Sequence, residues 1–189
     1  MPDIEIRVME KFIALLRGIN VSGQKKIKMS DLKILFEELS FTNVQTYIQS
    51  GNVLFTSNMN NKKAILNKIE KKITNRFGYK VEVILKTPDE LKRAIKSNPF
   101  LKDKKKNSER IYYTFLSENP SPSNSKILNE IDHTPEQFIL NGDVIYLFLP
   151  NGAGKSKLNN NFFEKRLGVF ATTRNRNSVQ ALLELREVD

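Results

Sequence analysis

Apolar residues recur along the chain in runs and stripes that predict alternating strands and helices. Residues 11–18 form a continuous apolar run that ends in a charged residue and a glycine, as in a buried central strand. After a polar loop, Ser30 is the predicted N-cap of a helix with apolar residues at helical spacing. The rest of this half is predicted as strands 44–49 and 53–56 around a hairpin at 50–52, a helix closed by Gly78, and a strand over 81–85.

A connecting helix and a charged loop follow. Thr87 is the predicted N-cap of this helix, with Pro88 in its first turn and Glu90 completing a capping box. The charged segment 102–108 is the predicted domain boundary, and the element order of the first half repeats beyond it. The predicted elements are a strand over 110–116, a helix over 123–131, strands 137–140 and 144–149 around Asn141-Gly142, a helix over 157–167 closed by Gly168, a strand over 169–172, and a last helix over 178–186 capped by Asn177.

The order β-α-β-β-α-β therefore occurs twice, and it is the order of the split-βαβ, or ferredoxin-like, arrangement. We predict an α+β protein of tandem ferredoxin-like domains with antiparallel sheets and a C-terminal helix. The first domain is predicted over residues 1–87, with 1–10 as an N-terminal extension. Residues 88–108 are the connecting helix and basic loop, and 109–189 are the second domain.

Composition excludes several chemistries. The 189 residues include no cysteine and one histidine, His133, which argues against disulfides, thiolate chemistry and a histidine-based zinc site or catalytic triad. No metal and no cofactor is predicted. No segment is apolar over the roughly 20 residues that a membrane span needs, and the N-terminus lacks the apolar run of a signal peptide. These observations predict a cytoplasmic protein without a membrane partner.

The net charge of +10 has two explanations. A basic protein attracts anionic partners such as nucleic acid, nucleotides or an acidic lipid surface. The excess of lysine over arginine and the abundance of asparagine also fit the composition expected of an AT-rich coding sequence. Both explanations stay open at the level of the sequence.

Residues 150–156 end in the Gly-Lys-Ser of a phosphate-binding P-loop, and a strand and a helix flank them as such a loop requires. The first glycine of that motif, however, is replaced by Leu149, and the preceding strand belongs to an antiparallel hairpin. A true P-loop is therefore rejected. Lys155 and Lys157 beside a helix N-terminus still predict an anion site, while the simpler alternative is that Ser156 only caps the helix.

Two more polar clusters follow predicted strands. Arg17 lies at the very end of the first predicted strand and Asn20 just after it, and Arg174 and Asn175 follow the last predicted strand. A guanidinium at the end of a strand suits bidentate anion binding, whereas the alternatives are a salt bridge or hydrogen bonds within a loop. The hairpin over residues 49–52 is explained by turn chemistry, with glycine for positive φ and polar side chains for local bonds.

The RNA recognition motif shares the βαββαβ order and displays aromatic residues on its two central strands. In the first half the matching strand, 51–55, lacks the basic residue and the aromatic pair of that motif. In the second half the aromatic residues of the central strands are Tyr112, Tyr113, Phe115, Tyr146 and Phe148. Core packing is favoured over base stacking for them, and His133 is predicted to be a solvated turn residue.

Seven runs carry a resemblance to a known family. They are Phe12 to Val21, Lys28-Met29, Phe41 to Val44, Tyr47 to Val53, Asn98-Pro99-Phe100, Ser156-Lys157-Leu158 and Thr172 to Asn175. On these runs the chain resembles the bacterial family DUF1697, a domain of unknown function. The resemblance implies tandem ferredoxin-like domains and brings no established activity, substrate or cofactor. The chain departs from the family at Ser22, where a second glycine is usual, and at Arg176, where tryptophan is usual.

The first functional hypothesis is a binding module for an anionic, phosphorylated ligand at the interface of the two halves. Its candidate residues are Arg17, Asn20, Lys155, Lys157, Arg174 and Asn175. The alternative is a protein that binds nucleic acid, chiefly RNA, through general basic charge that includes Lys25, Lys26, Lys28 and the lysines of residues 102–106. An enzyme ranks last, because no nucleophile–base pair, carboxylate pair or metal-ligand cluster stands out.

Overall fold

The computed structural model describes residues 9–129 and 132–185. Within those residues the protein is α+β, with two four-stranded antiparallel sheets and six α-helices. The described residues up to Pro88, together with Leu185, form a first compact unit, and those of Asp89–Glu184 form a second. No helix in the described ranges is long and apolar enough to cross a membrane.

The first unit contains one sheet and two helices. Its elements are β1 (Glu10–Leu16), α1 (Met29–Glu38), β2 (Thr42–Tyr47), β3 (Asn52–Ser57), α2 (Lys62–Phe77) and β4 (Val83–Lys86). The strands lie in the order β2-β3-β1-β4, and every neighbouring pair is antiparallel. The apolar run of β1 is therefore central, as its pattern predicts.

The core of the first unit lies between this sheet and its two helices. Phe12, Ala14 and Leu16 of β1 are fully buried in one cluster with side chains from both helices. On α2, Ile65, Ile69 and Ile73 repeat every four residues and form the buried stripe. Burial of each large apolar side chain contributes roughly 1.5–3 kcal/mol, which is what holds the amphipathic helices on the sheet.

The second unit repeats this order and adds a helix at each end. Its elements are α3 (Pro88–Lys96, whose first residue belongs to the first unit), β5 (Ile111–Leu116), α4 (Pro122–Asn129), β6 (Gln137–Asn141), β7 (Val144–Phe148), α5 (Asn160–Leu167), β8 (Ala171–Asn175) and α6 (Arg176–Glu184). Short 3₁₀ turns lie at Pro99–Lys102, Ser108–Arg110 and Ala153–Lys155. The sheet order is β6-β7-β5-β8, again antiparallel throughout.

Two predicted helix starts are wrong. Helix α1 begins at Met29 after Lys28, so Ser30 lies inside the first turn and is not the N-cap. Helix α5 begins three residues later than predicted, because Asn159 accepts a hydrogen bond from the Phe162 amide and is the actual N-cap. The helix ends are predicted better. Gly78 and Gly168 both adopt the left-handed conformation that ends a helix.

The last strand and last helix also differ from the prediction. Strand β8 continues to Asn175, and α6 begins at the next residue, so Asn177 is a helix residue and not the cap. The capping bond comes from Asn175, whose Oδ1 accepts from the Ser178 amide at 2.7 Å. The ends of the helices predicted over 123–131 and 178–186, and most of the predicted extension over 1–10, lie outside the described residues.

The β2–β3 hairpin meets β1 at Gly51, where the backbones approach closely. The Leu16 amide donates to the Gly51 carbonyl at 2.8 Å, and Gly51 has a φ of +78°. A Cβ at this position would lie 2.7 Å from Ile19 Cδ1 and 2.8 Å from Leu16 Cβ. Gly51 is therefore required both for its backbone conformation and for the space it leaves.

We expect Gly51→Ala to destabilise the protein by about 1–3 kcal/mol more than Gly78→Ala. Gly78 is a matched control, because it has a similar φ of +73° but nothing lies within 4 Å of the position of its missing Cβ. Urea unfolding followed by circular dichroism measures the difference. Equal destabilisation by the two substitutions would show that backbone strain alone matters at Gly51.

Candidate functional site

The β1–α1 loop, residues 17–28, has an unusual backbone. Five of the eight residues from Gly18 to Lys25 have positive φ, and three of these five are not glycine: Asn20 (55°), Ser22 (51°) and Lys25 (44°). Residues with side chains reach this region at a cost and are held there by their surroundings. At Ser22 the positive φ is a backbone conformation that glycine adopts more readily than serine.

The tip of this loop is a tight turn. The Gln24 amide donates to the Val21 carbonyl at 2.9 Å, and both central residues, Ser22 and Gly23, have positive φ. That combination is a type I′ turn. Val21 at the tip is 58% exposed, which makes it an apolar side chain held in solvent by a rigid turn.

The side chain of Asn20 organises the β1–α1 loop. Its Nδ2 donates to the Ile27 carbonyl at 2.9 Å and to the Gln49 carbonyl at 2.8 Å. Its Oδ1 accepts from the Ile27 amide at 2.9 Å. The amide thus closes the loop on itself and joins it to the β2–β3 hairpin, 29 residues further along the chain. Asn20 therefore holds the loop in place, and its role as a ligand residue stays a prediction.

A second asparagine, Asn52, stabilises the β2–β3 hairpin, whose Gln49 carbonyl accepts the hydrogen bond from Asn20. Asn52 is fully buried, and its Nδ2 donates to the Tyr47 carbonyl and to Ser50 Oγ, both at 3.0 Å. Ile48, beside Gln49 on the hairpin, has a φ of +49° and is 47% exposed. The turn chemistry predicted here is present, and it also positions the carbonyl that Asn20 binds.

The β1–α1 loop is rich in positively charged side chains. The β1–α1 loop contains Arg17 and three lysines and no acidic residue. Lys26 and Lys28 are exposed, whereas the Lys25 ammonium donates to the Lys80 carbonyl at 2.7 Å. Arg17 is half-buried, and its backbone amide bonds to the Glu82 carbonyl. The sequence predicts Arg17 and Asn20 here as residues of the anion site, and it predicts Lys25, Lys26 and Lys28 as part of the basic charge of the nucleic-acid alternative.

Arg174 in the second unit is buried and hydrogen-bonded within its own strand. It is 6% exposed, and its Nη1 donates to Thr172 Oγ1 and to the Thr173 carbonyl at 2.8 and 2.9 Å. Burial lowers the pKa of the Arg174 guanidinium to about 10, since the charged form loses hydration. A guanidinium this deep supports the fold of its own unit. Asn175 is likewise used to cap α6.

Lys155 and Lys157 are exposed on the loop between β7 and α5. That loop does not form a phosphate cradle, because its amides bond internally: Gly152 to Leu149, Lys155 to Gly152 and Ser156 to Ala153. Ser156 Oγ donates to Glu136 Oε2 at 3.0 Å and accepts from the Leu158 amide, so it ties down the loop and caps no helix. Arg17 and Asn20 belong to the first unit, and the other four candidate residues, Lys155, Lys157, Arg174 and Asn175, belong to the second. That the two groups converge stays a prediction.

The aromatic residues of the second sheet pack inward, as favoured from the sequence. Tyr113 and Tyr146 are at most 2% exposed and meet edge to face at 5.9 Å, so they offer no platform for bases. Burial raises the pKa of both phenols. His133, predicted to be solvated, is half-buried. Its ring packs edge to face on Phe162 at 5.1 Å, and its Nε2 is shielded from solvent.

We expect Asn20→Ala to destabilise the first unit by about 1–3 kcal/mol, because two backbone carbonyls and one amide lose their partner. Hydrogen exchange should accelerate most at the Ile27 amide and in the β2–β3 hairpin. Asn61→Ala is a matched control, since it removes one capping bond, to Ala64, away from this loop. Faster exchange confined to α1 and absent from the hairpin would contradict the role assigned to Asn20.

Comparisons with known proteins agree with this architecture. A solved structure of the conserved bacterial protein SP0830 from Streptococcus pneumoniae is similar to this chain, with a TM-score of 0.73 and 20% sequence identity. The similarity covers 94% of this chain and 98% of the other, and at this identity it shows the fold alone. No curated protein matches the chain. A family described as "Protein of unknown function (DUF1697)" matches residues 9–146, a range that includes the β1–α1 loop and the hairpin. The chain belongs to the DUF1697 family.

Proposed function

We propose that this protein is a binding module for an anionic, phosphate-bearing ligand, and that the β1–α1 loop of the first unit is the binding surface. The observation that carries the proposal is the strain of that loop, in which three non-glycine residues within six positions have positive φ. Strained backbone costs of order 1–3 kcal/mol per residue and clusters at ligand sites, where it preorganises the contact surface.

Preorganisation is supported by the bonds that hold the loop. The Asn20 amide, the Val21–Gln24 turn and the Lys25 ammonium each bond to a backbone carbonyl or amide. Such a loop loses little conformational entropy when a ligand binds. Left-handed residues also turn successive peptide groups, and concave runs of N–H groups formed in this way bind anions.

The charges of the β1–α1 loop support a negatively charged ligand. Four cations and no acidic residue occur over residues 17–28, and Lys26 and Lys28 extend into solvent. Glu82, whose backbone carbonyl bonds to the Arg17 amide, has its carboxylate 3.4 Å from the Lys80 ammonium. A phosphate would meet a positive local field on a surface whose shape is already set.

The second unit supports the same ligand class less directly. Arg174 and Asn175 are used by the fold, which leaves Lys155 and Lys157 as its exposed candidates. Both lie beyond the range that the family matches, whereas Arg17 and the loop lysines lie within it. The first unit is therefore the better place to test binding.

We also infer that both units are ferredoxin-like, as the sequence predicts. The supporting observations are the element order β-α-β-β-α-β in each unit and the matching sheet orders β2-β3-β1-β4 and β6-β7-β5-β8. In this arrangement the β1–α1 loop leaves a central strand.

Titration of the ¹⁵N-labelled protein with inorganic phosphate, then pyrophosphate, at low ionic strength tests the proposal. We expect saturable amide shifts concentrated in residues 18–28. The double variant Lys26→Gln/Lys28→Gln should weaken binding about fivefold or more, since each exposed charge contributes up to about 1 kcal/mol.

The matched control is Lys71→Gln/Lys104→Gln, which removes two exposed lysines elsewhere and should leave the affinity unchanged. Equal weakening by both double variants would sink the proposal and indicate attraction to the overall charge. A short single-stranded RNA serves as a second probe. RNA binding that is weakened equally by both double variants would favour the nucleic-acid alternative.

A further inference from the structure

One edge of the second sheet, strand β6, lacks the features that usually block pairing. Within the described residues β6 pairs only with β7, and its five residues contain no charge, no proline and no shift of register. Its central residue, Ile139, is 42% exposed. The corresponding edge of the first unit differs, because β2 carries a register shift between Thr42 and Gln45 and a positive φ at Asn43. Bulges, charges and prolines are how exposed edges usually avoid pairing.

A cavity of about 310 Å³ opens at the start of β6. Gln137 and Phe138 line it together with the carboxylates of Asp132 and Glu136. Hydrogen bonds from the Thr134 hydroxyl and amide lower the pKa of Asp132 and keep it ionised at neutral pH. His133 also lines this cavity, and its Nε2 has no hydrogen-bond partner among the described residues.

A second cavity of about 260 Å³ opens at the other end of β6. Asn141, the last residue of the strand, lines it with Asp143 of the following turn and with Glu90 and Arg93 of α3. Two carboxylates face one guanidinium there, so this cavity is also net acidic. In a chain with a net charge of +10, both ends of one exposed strand are thus acidic.

The two cavities lie on opposite faces of the sheet. Phe138 meets Phe163 of α5 edge to face, which places the first cavity on the α4–α5 face. The second cavity is lined by Tyr146 and by α3, on the face that carries Tyr113. Side chains of an extended strand alternate between the two faces of a sheet.

We propose that β6 recruits an extended peptide segment of a partner protein as a fifth strand, and that two basic side chains of this segment enter the two acidic cavities. Strand addition of this kind takes its affinity from main-chain hydrogen bonds and its specificity from pockets for particular side chains. Because the cavities lie on opposite faces, the two basic residues are separated by an odd number of positions. The five-residue length of β6 makes that number three or five.

Two capped peptides of identical composition test this with the full chain. Thr-Lys-Val-Thr-Lys-Val-Thr places its lysines three positions apart, and Thr-Lys-Val-Lys-Thr-Val-Thr places them two apart. We expect the first peptide to bind about fivefold more tightly by fluorescence anisotropy, since one additional charge contact contributes up to about 1 kcal/mol. Methylation of alternate backbone nitrogens in the first peptide should abolish its binding.

The variant Asp132→Asn/Asp143→Asn should reduce the affinity of the first peptide to that of the second. Glu109→Gln/Glu118→Gln makes the same change of charge at exposed positions outside both cavities and should have no effect. Equal affinities of the two peptides for the unaltered protein would overturn the proposal, as would undiminished binding of the methylated peptide. It would also be overturned if sedimentation showed a dimer that Ile139→Lys dissociates, because a second copy would then occupy the edge.

Discussion

The side-chain amide of Asn20 is the contact on which the candidate anion site depends. It satisfies two carbonyls and one amide in segments that are far apart in the sequence, and it does so from a left-handed backbone. In the β2–β3 hairpin, Gly51 approaches Leu16 and Ile19 closely and so adds a second contact between the hairpin and the end of β1. Without both, the lysines of the β1–α1 loop would lie on a mobile chain and present no defined surface.

Two arginines after or within strands illustrate how context decides the role of a residue type. Arg17 lies half-buried just beyond β1, in a loop rich in cations and without acidic residues. Arg174 lies within β8, where burial lowers its pKa and its Nη1 bonds to the threonine side chain and backbone of its own strand. A buried guanidinium is costly unless it is hydrogen-bonded, so the second arginine is held by the fold.

The two units share an element order and differ at their edges and loops. In the first unit the distinctive feature is a strained basic loop, and its free edge β2 is interrupted by a shift of register. In the second unit the corresponding edge β6 is regular, uncharged and bounded by acidic cavities. A repeated scaffold therefore carries surfaces of opposite charge, which is consistent with two different kinds of partner.

Local patterns in the sequence determined the order of the elements and the buried stripe of α2. They also determined the hairpin at Asn141-Gly142 and the glycines that end α2 and α5. Each of these features depends on sterics within a few residues. Only the tertiary structure decided the N-caps at Asn159 and Asn175, the burial of Arg174 and of the His133 Nε2 atom, and the structural role of Asn20. An asparagine suits a cap, a loop clasp or a ligand contact equally well in a sequence. Which of these it performs depends on the partner that folding brings near, and for Asn20 that partner lies 29 residues away.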